Sequence, residues 1–453
     1  MLALSEKDRK RGLVLAVGIL GGLVMLDETV LGVSLPAIRS ELGMSATTAH
    51  WIINSYMLAF TCLAAIGGKA IDLFGLRPAM IVSCSVFTVA SLLAGFADGT
   101  AMLLSMRVVQ GLCAAIMFPT TLAAATLTFD EEERGRAIGL LAGMATIFLA
   151  IGPMLGGILT DFLSWRWVFW INIPVVVVGG IFTCLLWKEP ARDLKRPVVD
   201  RVGLVLLLVG MTSLIFGLME GPDFGWASPV IVSTLIVGVI GLAGFVRYEA
   251  RQKLPLIDIR LFILKPFHAS SLVILLTQMS KIVVAIFIPH FLQLQMGFSA
   301  LWAGIGTAAA VLPFPFLAAF AGRYADRKGA KQPVLISLAL VALSCGLLGA
   351  TFAFKNYWVL APMLLLWGAA LPFSMVPTGR ITVNSVPLEK QGEVSGMIIT
   401  CRLVGGTLGV TLGSVLLAMH ADFASIFYTM AAMLGACCVY CIVALENDAP
   451  ARG

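Results

Sequence analysis

The sequence predicts an all-α protein that crosses a lipid bilayer many times. Its mean hydropathy is +0.97, and 59% of its residues are hydrophobic while only 12% are charged. Soluble domains are about a quarter charged. Apolar runs of about twenty residues, enough helix to cross a hydrocarbon core of roughly 30 Å, recur along all 453 residues. Because these runs show no apolar/polar alternation, they favour helices over a closed barrel.

The hydropathy pattern predicts about fourteen transmembrane helices. The first run follows a basic cluster and is about twice as long as a signal-peptide core, so we expect it to remain as a span. The spans lie near residues 13–36, 47–67, 79–97, 101–127, 135–160, 167–187, 202–219, 229–246, 267–294, 300–322, 332–353, 357–379, 394–419 and 424–445.

The loops between these spans predict an orientation. Lysine and arginine are concentrated in every second loop, whereas the other loops offer only Arg39, Arg166 and Lys355. Positively charged loops stay in the cytoplasm, so an even number of spans places both termini there, in a bacterial inner membrane. The net charge of +6 belongs to these short loops, and it does not indicate a nucleic-acid partner.

An internal repeat indicates a duplicated helical bundle. Gly68-x3-Asp72-x2-Gly75-x-Arg77 recurs as Gly322-x3-Asp326-x2-Gly329-x-Lys331, each after an apolar run. We expect two six-helix halves, 1–190 and 266–453, separated by 191–265, which holds two inserted helices and cytoplasmic linkers. Duplicated bundles are typical of secondary transporters, whose halves rock around a central site.

Three charged residues lie deep inside the predicted spans of the first half. Asp27 and Glu28 are in the first and Arg107 is in the fourth, and a charge at mid-helix costs roughly 2.5–3.5 kcal/mol on insertion scales. At 1.5 Å per residue, Asp27 and Arg107 reach about the same depth. We favour Asp27 as a proton-binding acid whose charge Arg107 stabilises. Glu28 is the alternative acid, and a purely structural ion pair stays open.

Five segments in family order resemble the major facilitator superfamily, specifically its fourteen-helix drug:proton antiporter family, over nearly the whole chain. They are residues 26–36 (LDETVLGVSLP), 68–77 (GKAIDLFGLR), 107–111 (RVVQG), 152–157 (GPMLGG) and 165–174 (WRWVFWINIP). Gly32 departs from the family, which more often has asparagine there. The resemblance implies a major facilitator fold with two six-helix halves plus two inserted helices. It also implies a proton-coupled exporter of lipophilic, cationic drugs, dyes or biocides.

The resemblance assigns roles to further residues. It implies a conformational gate at Gly68, Asp72, Gly75, Arg77 and Asp326, for which a solvated charged turn is the alternative. It also implies an antiporter motif that acts as a hinge or seal, made of Gly152, Pro153, Gly156 and Gly157. Packing alone is the alternative role for that motif.

Six residues are candidate substrate contacts. The aromatic side chains of Trp51, Tyr56 and Phe118 suit planar cations, although a core or lipid-facing position is the alternative. Gln110 lies one turn deeper than Arg107 on the same helix face. Lys281 and Arg402 are cations embedded in later spans, and Lys281 could instead pair with Glu28 or a helix end.

Other classes of protein fit the sequence less well. The four histidines are dispersed, with no HExxH motif, and no GxxxxGK[ST] phosphate loop is present. We therefore expect no enzyme, cofactor or metal site and an ion gradient as the energy source. An exporter of one natural product or metabolite, or a facilitator or importer of a small organic solute, stays open. The expected partners are a small-molecule substrate, protons and the bilayer. We expect a monomer, and an accessory periplasmic adaptor stays open.

Overall fold

The computed structural model describes residues 5–129, 131–188, 200–252, 255–385, 391–419 and 422–445. These residues form helices and connecting turns without β-strands, which confirms the predicted all-α class. Within these described residues, seventeen α-helices follow one another. In the N-terminal part they are α1 (Glu6–Glu41), α2 (Ala46–Phe74), α3 (Leu76–Gly95), α4 (Thr100–Thr128), α5 (Glu131–Phe162), α6 (Trp167–Trp170) and α7 (Asn172–Leu186).

The rest of the chain adds ten α-helices and two short 3-10 helices. The α-helices are α8 (Arg201–Phe224), α9 (Pro229–Glu249), α10 (Lys265–Leu294), α11 (Ala300–Val311), α12 (Pro313–Lys328), α13 (Lys331–Thr351), α14 (Tyr357–Ala370), α15 (Pro372–Asn384), α16 (Gln391–Ala418) and α17 (Phe423–Ala444). The 3-10 helices span Ile259–Ile263 and Phe352–Phe354.

Within the described residues, thirteen helical segments are long and apolar enough to cross a membrane. The remaining long helix, α2, has 29 residues and brings the number of helical segments to the predicted fourteen. The protein is therefore a multi-span membrane protein.

Three of the predicted spans are each interrupted, so that one span consists of two helices. The interruptions fall between α6 and α7, between α11 and α12, and between α14 and α15. Pro313 and Pro372 each open the second helix of their pair. Because proline lacks the amide hydrogen that a continuous helix requires, it kinks or breaks the helix at its position.

Contacts between Cα atoms divide the chain into two compact units, Met1–Val199 and Asp200–Gly453. In the first unit, α1 packs against α5, α4 and α7, while α3 packs against α4 and α7. In the second unit, α10 packs against α16, α15 and α17, while α13 packs against α14 and α17. The neighbours of α1 in the first unit thus correspond to those of α10 in the second, and the neighbours of α3 correspond to those of α13. The second unit also includes α8 and α9, which pack against each other.

The repeated loop motif has the same local geometry in both units. Gly75 and Gly329 have φ angles of 85° and 83°, a region that glycine adopts at little cost. Two residues later, Arg77 Nη2 donates to the carbonyl oxygens of Cys184 (2.8 Å) and Trp187 (2.9 Å), and Lys331 Nζ donates to that of Ile442 (2.8 Å). Each cation thus caps the C-terminal end of the last helix in its own unit, where unpaired carbonyls favour positive charge.

Candidate functional site

A buried polar network occupies the first unit, centred on an ion pair between α1 and α4. Asp27 is 1% exposed and Arg107 is fully buried. Arg107 Nη1 lies 2.6 Å from Asp27 Oδ2. The two residues expected at one depth are thus in direct contact, in a setting where bulk water does not screen the charges.

Arg107 is held by more than its ionic partner. Its Nε donates to the carbonyl oxygen of Ile52 (2.9 Å), and its Nη1 also donates to Gln110 Oε1 (2.9 Å). The guanidinium carbon lies 4.2 Å from the centre of the Tyr56 ring, a distance at which the ring attracts a cation. These contacts from α2 and α4 fix the arginine independently of Asp27.

Two further polar residues complete the network. Gln110 Nε2 donates to Ser91 Oγ on α3 (2.8 Å). Asn172 Nδ2, in the first turn of α7, donates to Asp27 Oδ1 (3.3 Å). Both Ser91 and Asn172 are fully buried. The network therefore joins α1, α3, α4 and α7, with α2 supplying a carbonyl and an aromatic face.

Three atoms of the network have no hydrogen-bond partner among the described residues. They are Arg107 Nη2, Asn172 Oδ1 and the Tyr56 hydroxyl, all buried. A buried polar atom without a partner is costly and is uncommon in stable structures. These atoms are available to form new hydrogen bonds if the existing hydrogen bonds of the network break.

The glycine-rich segment 152–157 of α5 packs directly against the acidic turn of α1. A Cβ placed on Gly152 would collide with Thr29 Oγ1, and one on Gly156 would collide with the carbonyl oxygen of Val30. Only a glycine allows the two backbones to approach this closely. Pro153 and Gly157 are also buried. The segment thus sets the position of the helix turn that carries Asp27 and Glu28.

The remaining acid and the aromatic candidates of this unit differ in burial. Glu28 is 2% exposed. Phe60 connects Tyr56 to Phe118 through two edge-to-face contacts, with ring centres 6.0 and 6.1 Å apart. Trp51 and Phe118 are half-buried. Tyr56 therefore belongs to the charge network, whereas Phe118 lies at the outer end of an aromatic row.

In the second unit, Lys281 is buried on α10 and Arg402 is half-buried on α16. These helices pack closely, because a Cβ on Gly405 would collide with the carbonyl oxygen of Leu275. The hydroxyl of Ser280, next to Lys281, accepts a hydrogen bond from Trp367 Nε1 (2.9 Å). A buried cation thus stands within a polar region of this unit.

Of the five residues predicted to form a gate, Gly68, Asp72 and Asp326 have surroundings that lie outside the described part of the structure. Gly75 and Arg77 form the helix-capping turn described above. The described residues contain no cluster of three or more histidine, cysteine, aspartate or glutamate side chains that could hold a metal ion.

Sequence reasoning missed Ser91 and Asn172. Each is a polar residue within a long apolar stretch, and Asn172 falls inside the segment WRWVFWINIP. That signal was present, since an intramembrane polar residue needs a partner. The identity of the partner depends on how α3 and α7 pack, which the sequence pattern does not specify.

Membrane-length helices in two similarly packed repeats, one of which buries a charge pair, define an integral membrane transport protein. The sequence profile of the Major Facilitator Superfamily matches residues 17–248 and 270–453. The chain belongs to the Major Facilitator Superfamily.

Several curated relatives are similar over most of the chain. It is 30% identical to the tetracenomycin C resistance and export protein of Streptomyces glaucescens, over 90% of this chain and 75% of that protein. It is 30% identical to the multidrug resistance protein Stp of Mycobacterium tuberculosis, over 89% of this chain and 75% of that protein. It is 31% identical to the cephamycin export protein CmcT of Amycolatopsis lactamdurans, over 86% of this chain and 81% of that protein.

Solved transporters share the fold. A D-xylose–proton symporter superposes with a TM-score of 0.70 at 12% identity, covering 96% of this chain and 98% of the symporter. The nucleoside transporter NupG superposes with a TM-score of 0.66 at 13% identity, and the superposition covers 96% of this chain and 100% of NupG. At these identities the likeness establishes the fold, and the major facilitator architecture predicted from the motifs is confirmed.

Proposed function

We propose that this chain is a proton-coupled exporter of lipophilic organic compounds, cationic drugs, dyes and biocides among them, that works by alternating access. The observation that carries the proposal is the buried ion pair between Asp27 and Arg107. Export as the direction of transport is supported by relatives whose names denote resistance or export. The bacterial sources of these relatives and the positive loops support a bacterial inner membrane with both termini in the cytoplasm.

The network suits a carboxyl group that alternates between charged and neutral. In the charged form, Asp27 accepts hydrogen bonds from Arg107 and Asn172. When a proton neutralises Asp27, Arg107 keeps its contacts with Ile52, Gln110 and Tyr56, so the cation is not left without partners. Rotation of the Asn172 amide would then present its free oxygen to the new hydroxyl group. Both protonation states are therefore compatible with the same buried site.

For a neutral substrate, the membrane potential supplies enough energy for export, whereas one-for-one exchange of a proton for a monovalent cation relies on the pH gradient. Moving one elementary charge down the membrane potential provides about 2.3 kcal/mol per 100 mV. At about 1.4 kcal/mol per tenfold ratio, this sustains roughly a forty-fold gradient of a neutral substrate. In this proposal Asp27 carries the proton, and Glu28 is the second candidate for that role.

The remaining candidates have supporting roles in this proposal. Gly152, Pro153, Gly156 and Gly157 hold α5 against α1 and seal the pathway against leak. Asp72 and Asp326, together with the capping cations Arg77 and Lys331, latch one access state. Lys281, Arg402, Trp51 and Phe118 contribute to substrate selection, while Gln110 and Tyr56 support Arg107. Residues 1–190 and 266–453 act as the related halves, with 191–265 as the insertion.

Vesicles containing the purified protein test the proposal. An interior-acid pH gradient in inside-out vesicles should drive accumulation of a fluorescent lipophilic cation, and an ionophore that collapses the gradient should abolish it. Equal uptake with and without the gradient would contradict proton coupling and favour a facilitator.

A second candidate is an exporter of one natural product, favoured by relatives named for tetracenomycin C and cephamycin. A growth-inhibition panel of chemically diverse drugs separates the two. Protection against many unrelated lipophilic cations supports the broad exporter, whereas protection against a single compound class supports the narrow one.

A further inference from the structure

A pair of carboxyl groups lies at the base of the inserted hairpin α8–α9, apart from the network of the first unit. Asp200 immediately precedes α8 and Glu249 ends α9. Glu249 is fully buried, and an oxygen of each side chain lies close to the same point, the position that a Cβ on Gly203 would take. A fully buried glutamate is rare unless it is paired.

Each carboxyl group has one oxygen that accepts hydrogen bonds from the backbone. Asp200 Oδ1 accepts from the amide of Gly203 (2.9 Å) in the first turn of α8. Glu249 Oε2 accepts from the amides of Leu256 (2.7 Å) and Ile257 (3.3 Å) in the segment that leads towards α10. The pair therefore fastens the start of α8, the end of α9 and the following segment at one point.

The other oxygen of each group has no donor. Asp200 Oδ2 and Glu249 Oε1 are buried and without a hydrogen-bond partner among the described residues. Both lie beside Gly203, where an added Cβ would be 2.9 Å from Asp200 Oδ2 and would collide with Glu249 Oε1. Two acceptor oxygens without donors thus face each other in a space that only glycine leaves open.

The charged side chains that the structure describes around this pair do not neutralise it. Arg201, Arg247 and Arg251, the arginines nearest in sequence, have exposed side chains. No lysine or arginine of the described residues is recorded in an ion pair with either acid. The Tyr248 hydroxyl lies beside Asp200 and can donate to that carboxyl group, but it is neutral near physiological pH and does not compensate the negative charge. Besides α9, the helix packed against α8 is α16, whose described charged side chain is Arg402.

Asp258, farther along the same segment, shows the contrasting arrangement. It is 2% exposed, and its Oδ1 accepts from Arg260 Nε at 2.8 Å. This acid has the cationic partner that Asp200 and Glu249 lack. Asp258 therefore serves as a matched control.

We propose that Asp200 and Glu249 form a proton-binding site, in which one proton is shared between Asp200 Oδ2 and Glu249 Oε1 and closes the base of the hairpin. Two carboxylates in contact cannot both stay ionised, and a single proton supplies the missing donor for both oxygens. Loss of the proton leaves two facing negative charges, which push the helix ends apart. The hairpin base is thus closed at low pH and loosened at high pH, independently of the transport proposal.

Conservative variants of the full-length protein test this site. Glu249→Gln and Asp200→Asn each retain the backbone hydrogen bonds and supply a permanent N–H donor between the two oxygens. Near neutral pH the folded pair still holds one proton, whereas the separated carboxyl groups of the unfolded chain have already released theirs, because their pKa values are about 4. In the wild type this contribution to stability is therefore present at low pH and lost as pH rises.

The first measurement is the thermal unfolding midpoint of purified protein from mildly acidic to mildly alkaline pH. The wild type should lose stability with rising pH more steeply than either variant, by the equivalent of one released proton. Asp258→Asn should keep the wild-type slope over this range. Identical slopes in the wild type and Glu249→Gln would overturn the proposal.

Infrared spectroscopy provides a second measurement that does not depend on stability. The difference spectrum of wild type minus Glu249→Gln should contain the carbonyl band of a protonated carboxyl group, and this band should shift in heavy water. A difference containing only carboxylate bands would contradict a shared proton. A pH slope that depends on the sodium or potassium concentration would assign the site to an alkali cation instead and would also overturn the proposal.

Discussion

Asp27 on α1 and Arg107 on α4 form a 2.6 Å ion pair in which neither side chain is more than 1% exposed. Three other groups hold the arginine, whereas Asn172 is the other hydrogen-bond donor recorded for the aspartate. The arginine is therefore the fixed member of the pair. A proton on Asp27 changes the charge of the site without displacing the guanidinium group.

Replacing Arg107 with lysine should impair transport while the protein remains folded. Lysine keeps the positive charge, but its ammonium group cannot serve Asp27, Gln110 and the Ile52 carbonyl at once. Loss of one hydrogen bond to a charged group costs about 1.5–3 kcal/mol. We therefore expect dye efflux to fall by about tenfold or more, measured in cells with equal amounts of protein in the membrane.

The control for this variant is Arg166→Lys. Arg166 pairs with Glu41 in the same unit, but the two side chains are 26% and 48% exposed, and exposed pairs contribute little. Efflux by this variant should stay close to the wild-type rate. Equal efflux by the Arg107 and Arg166 variants would show that transport does not depend on the hydrogen-bonding geometry of the buried Arg107 guanidinium group.

Replacing Gly156 with alanine should separate α5 from α1. The added methyl group would collide with the carbonyl oxygen of Val30, and overpacking of this kind costs about 1–3 kcal/mol. The prediction is a lower thermal midpoint together with reduced efflux. Gly143→Ala is the matched control on the same helix, because nothing lies within 4 Å of the position its Cβ would take. If both variants behave alike, the α1–α5 contact is not the cause.

The capping cations of the two units can be tested against each other. Arg77→Ala should increase hydrogen exchange in the last turn of α7, because the carbonyl oxygens of Cys184 and Trp187 lose their donor. Lys331→Ala should do the same near Ile442 in α17 and leave α7 unchanged. Each variant is thus the control for the other. Unchanged exchange at both helix ends would mean that the caps do not order them.

The sequence was sufficient for the fold and for the centre of the site. Hydropathy predicts the spans because lipid requires continuous apolar helices, and the depths of Asp27 and Arg107 follow from the helical rise alone. The interruptions at Pro313 and Pro372 were not predicted, although the prolines mark them. A proline inside an apolar run is compatible with either a kink or a break, and packing decides between them.

Contacts between distant segments were beyond the sequence pattern. The pattern leaves open which helix face Asn172 and Ser91 occupy, so their place in the network could not be derived. Asp200 and Glu249 resembled ordinary charged residues at span ends. Only the close packing of α8 on α9 brings their oxygens together and removes both from water.

The central claim is that Asp27 carries the coupling proton, and Asp27→Asn tests it most directly. Asparagine keeps the size and hydrogen-bonding capacity of aspartate but cannot titrate, so the variant should still bind substrate. Glu28→Gln, on the adjacent residue, is the matched control and should retain proton release. The measurement is substrate-induced proton release by purified protein in detergent, read with a pH-sensitive dye. We expect a clear release signal from the wild type and none from Asp27→Asn. Undiminished release from Asp27→Asn, with release lost in Glu28→Gln, would show that Asp27 is not the coupling acid.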